Sequence, residues 1–571
     1  MLMKNLEISQ IFREIANVLE IKGENVFRIR AYERAAQNIE GLTQDIKEYI
    51  REGRLNEIPG IGKDLSERIK EFVATGKIQI YEDLKKSIPE GLLELLKIPS
   101  VGPKTAKLLY ETLKIKNISG LEKAIKQNKL KGIFGIKEKT IKNILKGINL
   151  LKKGKERMTL AQAMQVADEF VSSLNELPEV KKISVAGSLR RQKETVRDID
   201  ILIISDKPQK IMDTFTRLPD VATVLAKGET KASVRTNDDV QVDCRVEEEK
   251  SFGAALLYFT GSKNFNIKIR QLAIKKGFKV NEYGVFRKEK IVCGRTEEEI
   301  FKILGMSYIE PELREDAGEI ELAKKSQLPH LIEVKDIKGD LHVHSNYSDG
   351  QNSIEEMAEA AKKRGYSYLA ITDHSESLKV AGGLNIAELK KKKREIDKIN
   401  SKLKGLRVLY GTEVDIDSEG KLDYKDGVLK EFDVVVAAIH TGFKQSKLQL
   451  TKRLVKACQN KYTHIIAHPT GRLWGTRDAY DIDIDQVLRV AKDTNTHLEI
   501  NAFPQRLDLN DLNCHRAKEI GVKLSINTDA HSTEQLDIIR LGISVARRGW
   551  LEKKEVINTV SLDKLLESLK K

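Results

Sequence analysis

The sequence predicts a multidomain protein with an all-α N-terminal region, an α/β middle region and a C-terminal barrel of alternating strands and helices. Three observations predict it. From Asn5 to about Leu151 apolar residues recur at helical spacing (Ile8, Ile11, Phe12, Ile15, Val18, Leu19), with almost no two-residue alternation. In the middle region the pattern turns to strict alternation, as in Val240-Gln-Val-Asp-Cys-Arg-Val246. From Gly339 onward strand-like apolar runs alternate with helical ones about every thirty residues, the rhythm of a βα barrel.

Composition bounds the reading. A chain of 571 residues exceeds one hydrophobic core, and at roughly 100–200 residues per domain several are expected. Hydrophobic residues make up 40% and charged residues 32%, enough apolar material for the chain to fold throughout. No apolar run reaches the ~18 residues that span a bilayer, and Met1–Gln10 lacks the regions of a signal peptide, so a cytoplasmic protein with no membrane partner is expected. Cys244, Cys293, Cys458 and Cys514 lie far apart without a CxxC pair, which argues against a disulfide framework and a thiolate zinc site. The net charge is +15, and residues 1–157 carry 32 Lys+Arg against 21 Asp+Glu, so +11 sits in the first quarter. That end is expected to meet a polyanion. Histidine is skewed the other way, since none of the 10 precedes His330.

In the helical region two breaks share one pattern, Ile58-Pro59-Gly60-Ile61-Gly62-Lys63 and Ile98-Pro99-Ser100-Val101-Gly102-Pro103-Lys104, each before a new helical run; Ile133-Phe134-Gly135-Ile136 is a weaker third. Glycines at such a turn let the backbone approach a phosphate, and the helix start that follows offers unpaired N–H groups and a favourable dipole. Gly60, Gly62, Lys63, Gly102 and Lys104 are therefore candidate DNA-binding residues, gripping the backbone without reading bases. The two copies resemble helix-hairpin-helix motifs.

After Lys152-Lys153-Gly154-Lys155, which reads as a solvated linker, a strand at 182–186 ends at Gly187-Ser188-Leu189-Arg190-Arg191, and Asp198-Ile-Asp-Ile-Leu-Ile-Ile204 follows. On a strand Asp198 and Asp200 share one face while Ile199, Ile201 and Ile203 face the core. Asp243 arrives on the polar face of a second strand, beside Gln241 and Arg245. Three acidic side chains suit two Mg²⁺ or Mn²⁺ ions that serve nucleotidyl transfer, with Ser188 and Arg191 placed for phosphate oxygens.

Gly187-Ser188 followed by Asp198-Ile-Asp200 and later by Asp243 resembles the palm of the nucleotidyltransferase superfamily. Tyr258-Phe259-Thr260-Gly261-Ser262, then Asn266, Arg270 and Asn281-Glu-Tyr-Gly284, resembles the thumb of family X DNA polymerases. The resemblance implies that Asp198 and Asp200 bind both metals and that Asp243 activates the primer end. It implies that Ser188 and Arg191 hold the triphosphate of a dNTP, that Tyr258 and Phe259 crowd the 2′ position of the sugar, and that Asn266 touches the base edge; Gly187, Gly261 and Ser262 are further nucleotide-binding candidates. Arg270 would meet the template strand, and Arg245 is a further candidate DNA contact. One departure stands out: Arg68 occupies the place of the Schiff-base lysine in members with a deoxyribose-phosphate lyase. A permanently protonated arginine cannot be that nucleophile, which leaves the lyase doubtful and Lys63 or Lys70 as substitutes.

In the C-terminal region the polar residues fall at strand ends: His342, His344 and Asp349, then His374, Glu413, His440 and His468, and finally Asp529 and His531. The C-terminal ends of parallel barrel strands converge on one mouth, so six histidines and three carboxylates would meet there. Nine such donors suffice for two or three ions, and mixed imidazole and carboxylate ligation suits Mn²⁺ or Zn²⁺ better than Mg²⁺. Asp340, Asp373 and Asn501 are candidate supports for the ligands, and Arg472 is a candidate phosphate contact. His330, His464, His497 and His515 fall outside the pattern. The region resembles the polymerase and histidinol phosphatase (PHP) domain, a distorted seven-stranded barrel. Fused to family X polymerases, that domain implies 3′→5′ exonuclease and apurinic-site endonuclease activity.

The expected organisation is a first helical DNA-binding domain at 1–85, a fingers-like helical domain at 86–155, the palm at 156–248, the thumb at 249–315, a linker at 316–337 and the barrel at 338–571. The expected activity is gap filling on double-stranded or gapped DNA by a monomer, in base excision repair. The alternative is a DNA-binding nuclease or phosphoesterase whose palm does not polymerise.

Overall fold

A computed structural model describes residues 3–40, 46–58, 60–89, 91–98, 101–133 and 135–571. They form two compact units, one of residues 1–155 and one of the remainder apart from the loop Gly475–Asp478.

Among its described residues the first unit is helical, with helices at Met3–Lys22, Val26–Glu40, Ile46–Arg51, Lys63–Thr75, Gln79–Lys86, Leu92–Leu95, Pro103–Leu113, Ile118–Lys126 and Glu138–Glu156. The apolar stripe seen in the sequence is the reason: Ile8, Phe12, Ile15, Val18 and Leu19 are buried in one core with Ile69, Leu95, Leu109 and Ile144. Pro59, Pro99, Ser100 and Phe134 lie outside the described residues. Around them the turns repeat one hydrogen bond, from Ile61 N to the Ile58 carbonyl (3.0 Å), Val101 N to Ile98 (2.9 Å) and Ile136 N to Ile133 (3.0 Å). The third turn thus closes on the same hydrogen bond as the other two. The expected linker at Lys152–Lys155 is instead the end of the helix Glu138–Glu156. Lysine is a good helix former and a single glycine costs only about 1 kcal/mol, so a helix anchored by buried Ile144 and Ile148 runs on through it.

The second unit begins with the palm. Its strands are β1 (Met158–Thr159), β2 (Lys182–Val185), β3 (Thr195–Val196), β4 (Asp198–Ile204), β5 (Val221–Lys227), β6 (Lys231–Thr236) and β7 (Gln241–Glu247). Five of them form a sheet in the order β2-β4-β7-β6-β5, with β4 and β7 parallel and the other neighbours antiparallel. Ile199, Ile201, Ile203, Val242 and Cys244 turn to one face, where the helices Leu160–Asn175 and Pro208–Phe215 cover them. On the opposite face Leu202 and Ile204 pack against Phe252, Ala255 and Leu256. The N-terminal half of that second face carries the acidic residues.

The thumb joins the helices Phe252–Thr260, Lys263–Lys275 and Glu297–Ile303 to an antiparallel sheet of β8 (Lys279–Asn281), β9 (Gly284–Arg287) and β10 (Lys290–Cys293). The segment expected as a linker at 316–337 is packed: the helix Glu319–Lys324 buries Ile320 and Ala323 in the thumb core. Its charge density hid two apolar anchors one turn apart.

The barrel follows with β11 (Gly339–Val343), β12 (Tyr368–Ile371), β13 (Arg407–Asp415), β14 (Val434–Ala438), β15 (Ile465–Ile466), β16 (His497–Asn501) and β17 (Leu524–Asn527). All seven pair in parallel in chain order, and a bridge from Val343 to Ala530 brings the last strand back towards the first. Palm and barrel share one continuous apolar core within this unit.

Candidate functional site

Two acidic centres lie in the second unit. In the palm, the pleat and the parallel register bring the three carboxylates together: Asp200 is directly opposite Asp243, and Asp198 opposite Gln241. Burial pushes the Asp200 carboxyl up to about 7, with repulsion from Asp198 and Asp243 adding to it and Arg245 and Lys231 opposing. Three clustered carboxylates with so little neutralisation fit divalent cations. Asp243 is held in place by the Ser233 hydroxyl and by Gln241 Nε2 at 3.0 Å. Gly187 has φ +64°, and a Cβ there would stand 2.4 Å from Asp200 Oδ2, so only glycine passes this close to the carboxylate. Ser188 follows it in the short helix Gly187–Arg190.

The remaining palm and thumb candidates take more varied positions. Tyr258 and Phe259 meet edge to face at 5.1 Å at the end of their helix. Gly261 turns the chain at φ +71°, and the Ser262 hydroxyl caps the next helix by accepting from Phe265 N (3.3 Å). Asn266 Nδ2 donates to the Tyr258 carbonyl (2.6 Å), while Arg270 Nε donates to the Asn266 carbonyl (3.3 Å) and the side chain is exposed. Arg191, a candidate for the triphosphate, donates to Glu315 (3.0 Å) and to the Thr260 carbonyl. Arg245, a candidate DNA contact, lies 4.3 Å over the Phe259 ring. In the first unit Gly62 and Gly102 stand just before the helices Lys63–Thr75 and Pro103–Leu113, Gly60 has φ +81°, and Lys63 and Lys104 are exposed. Arg68 is clamped to Asp64 by contacts of 3.0 and 3.1 Å.

At the barrel mouth the sequence-based set assembles in full. His344, Asp349, His374 and His531 form one group, His342, His344 and Asp529 a second, and His374, Glu413 and His440 a third; in each the donor atoms lie within 4.8 Å of one another. His468 joins through Nε2, 3.0 Å from Glu413 Oε1. Burial opposes charge on Glu413, but the surrounding histidines hold its carboxyl well below the usual range, and the same balance holds Asp529 down. Burial opposes charge on the rings, but Glu413, joined by Asp349 at His374 and by Asp415 at His440, lifts them to about 10 and about 9. His344, crowded by burial and by His531 and His374, falls to about 4. His342 Nε2, both nitrogens of His344 and His374 Nδ1 are buried without a hydrogen-bond partner. Orphaned lone pairs beside carboxylates are a donor set for divalent metal ions.

Two residues that orient the ligands were not anticipated. Glu499 on β16 accepts from His342 Nδ1 (2.8 Å), from the His468 backbone N–H (2.8 Å) and from Asn527 (2.9 Å). Asp415 Oδ1 is 2.8 Å from His440 Nδ1. The signal for Glu499 was present: in His497-Leu-Glu-Ile-Asn501 a carboxylate interrupts a buried strand on the same face as Asn501. Asn501 donates to both Glu499 and Asp529 (3.1 Å each), Asp373 accepts from Ser345, Ser348 and the buried Lys392 (2.8 Å), and Asp340 accepts from Thr528. Arg472 does not reach the cluster; it is spent on Glu194 of the palm and on the carbonyls of Arg506 and Leu507.

Comparison with known proteins gives these centres a context. Residues 3–78 match the helix-hairpin-helix domain, 92–149 the SAM-like helix-hairpin-helix tandem, 255–315 the DNA polymerase beta thumb and 340–502 the PHP domain. The chain is 42% identical over 573 residues, covering all of both chains, to the DNA polymerase/3′-5′ exonuclease PolX of Bacillus subtilis (strain 168). Its C-terminal 40% is 31% identical to a "Probable phosphatase" of Thermoanaerobacter sp. (strain X514), over 94% of that protein. The same share is 31% identical to another of Caldanaerobacter subterraneus subsp. tengcongensis, over 90% of it. With helix-hairpin-helix, thumb and PHP regions in one order and an end-to-end relative at 42% identity, the chain belongs to the family X DNA polymerases that carry a C-terminal PHP domain.

Proposed function

We propose that this chain fills short gaps in DNA during base excision repair, and that its barrel is a Mn²⁺-dependent 3′→5′ exonuclease and apurinic/apyrimidinic endonuclease. One observation supports this above all: a chain aligned end to end with a DNA polymerase/3′-5′ exonuclease keeps a complete acidic cluster in each half.

In the palm, Asp198, Asp200 and Asp243 would hold two Mg²⁺ or Mn²⁺ ions. Those ions, when bound, supply Lewis acidity to the primer 3′-hydroxyl and charge for the leaving pyrophosphate. The Asp243 carboxylate takes the hydroxyl proton, steadied by Ser233 and Gln241. Gly187 and Ser188 present the triphosphate to the carboxylates. Arg191 reaches it by giving up the Thr260 carbonyl or Glu315. Tyr258 and Phe259 crowd the 2′ position of the sugar, with Gly261 and Ser262 shaping the turn behind them. Asn266 and Arg270 contact base and template, while Gly60, Gly62, Lys63, Gly102 and Lys104 hold the backbone of the duplex. Arg68 is locked to Asp64 and carries no lyase nucleophile.

In the barrel the nine donors would hold two or three Mn²⁺ or Zn²⁺ ions, which supply Lewis acidity for phosphodiester hydrolysis. Glu499 and Asp415 fix the His342 and His440 rings so that Nε2 of each faces the cluster.

The test uses a gapped duplex with an apurinic site, dNTPs and Mg²⁺ or Mn²⁺, with products resolved by length. Asp198→Ala plus Asp200→Ala is expected to abolish extension and keep Mn²⁺-dependent cleavage, and His342→Ala plus His344→Ala to do the reverse. Loss of both activities in either variant rejects two independent centres, and filter binding without extension by the unaltered chain leaves the palm as a positioning platform only.

A further inference from the structure

Arg506 lies on the turn between β16 and the following helix, at the barrel mouth. Its Nε is 3.6 Å from Asp529 Oδ2, a loose ion pair rather than a hydrogen bond, and its Nη1 is buried without a hydrogen-bond partner. The side chain as a whole is 16% exposed. A buried N–H donor with no acceptor costs free energy that a ligand oxygen would recover.

The backbone behind it is unusually determined. Arg472 Nε donates to the Arg506 carbonyl (2.6 Å), and its Nη2 reaches the Leu507 carbonyl and the carboxylate of Glu194 (2.6 Å), which belongs to the palm. Asp508 adds hydrogen bonds to the Thr470 and Asn501 backbone N–H groups. Leu507, a bulky residue, is held at φ +42°, and His468 and Asp529 sit at +28° and +56° around the same mouth. Non-glycine residues in this region are strained, and such strain persists where neighbours over-determine a functional geometry.

We infer that Arg506 is a substrate-binding residue of the barrel, taking a non-bridging oxygen of the nucleic-acid phosphodiester, and that Glu194 of the palm positions it through Arg472. A guanidinium fits because it delivers directed donors to a phosphate while its other edge stays on Asp529. The phosphate contact expected of Arg472 from its sequence position thus passes to its neighbour, and Arg472 becomes the strut. The palm in this way completes the barrel's binding surface. The inference rests on the phosphodiesterase reading of the barrel.

Two measurements on the full-length Mn²⁺-loaded protein separate the two claims. The first is calorimetric binding of thymidine 5′-monophosphate, with Mn²⁺ stoichiometry followed in parallel. Arg506→Met is expected to weaken binding about 10–100-fold with Mn²⁺ stoichiometry unchanged, and Arg506→Lys to recover part of it. The second is hydrolysis of a DNA 3′ end: Arg506→Met and, by about 3–10-fold, Glu194→Ala raise KM more than they lower kcat, an effect on a site in another domain that simple destabilisation would not give. Nucleotide binding by Arg506→Met equal to that of the unaltered protein overturns the assignment, and a Glu194→Ala variant with unchanged KM overturns the positioning role. An unaltered protein that binds the nucleotide through Arg506 yet cleaves no DNA sinks the nuclease reading alone.

Discussion

Burial lifts the Asp200 carboxyl to about 7, and the two aspartates beside it add to the effect, so Asp200 is a residue at which the metal-free fold carries a penalty. A carboxyl raised on folding destabilises where it must ionise: the penalty is absent below its ordinary value near 4 and fully present above about 7. Asp200→Asn is therefore expected to stabilise the chelator-treated protein at pH 8, by about 1–2 kcal/mol once water on its open side is allowed for, and to leave it unchanged at pH 4. Thermal unfolding at the two pH values checks this, and primer extension should be lost. At Gly187 the constraint is steric: Gly187→Ala places a methyl against Asp200 Oδ2 at a positive φ, and extension is expected to fall at least ~100-fold.

The thumb is organised about one buried carboxylate. Glu297, at the start of the helix Glu297–Ile303, receives Arg190 (2.9 and 2.6 Å) and Arg314, whose guanidinium is fully buried among Phe265, Phe301 and Tyr308. Burial alone would raise its pKa, but Arg314 and Arg190 bring it down to about 2. A depressed carboxyl contributes stability that is present above its ordinary value of 4.5 and lost as the pH falls towards 2. Glu297→Gln leaves two buried cations unpaired and is expected to cost about 3–5 kcal/mol at pH 7, a loss that narrows near pH 3. Denaturant unfolding at both pH values measures it. The adjoining segment at 316–337 shows why it was not legible as part of the thumb: its charges outnumber Ile320 and Ala323, and one of the lysines that meet them, Lys553 beside Asp336, lies more than two hundred residues on.

At the scale of the molecule, charge and metal divide the labour. The basic first unit predicts sequence-independent DNA binding, and Lys63→Ala plus Lys104→Ala should weaken binding to a gapped duplex and reduce the slope of log affinity against log salt by about 2. In the barrel, removing metal from nine clustered donors should lower the unfolding temperature, and Mn²⁺ should restore it in the unaltered protein but not in His342→Ala plus His344→Ala. The sequence by itself determined the three kinds of architecture, the shared face of Asp198, Asp200 and Asp243, and which nine residues gather at the barrel mouth. It could do so because strand pleat and the convergence of parallel strand ends fix where a short side chain points, whatever lies beyond it. Only the tertiary structure decided the fate of the long side chains. Arg191 turned to Glu315, 124 residues away, and Arg472 to Glu194, 278 away. A guanidinium on a chain of freely rotating bonds takes the carboxylate that folding brings within reach, and no local pattern encodes which one that is.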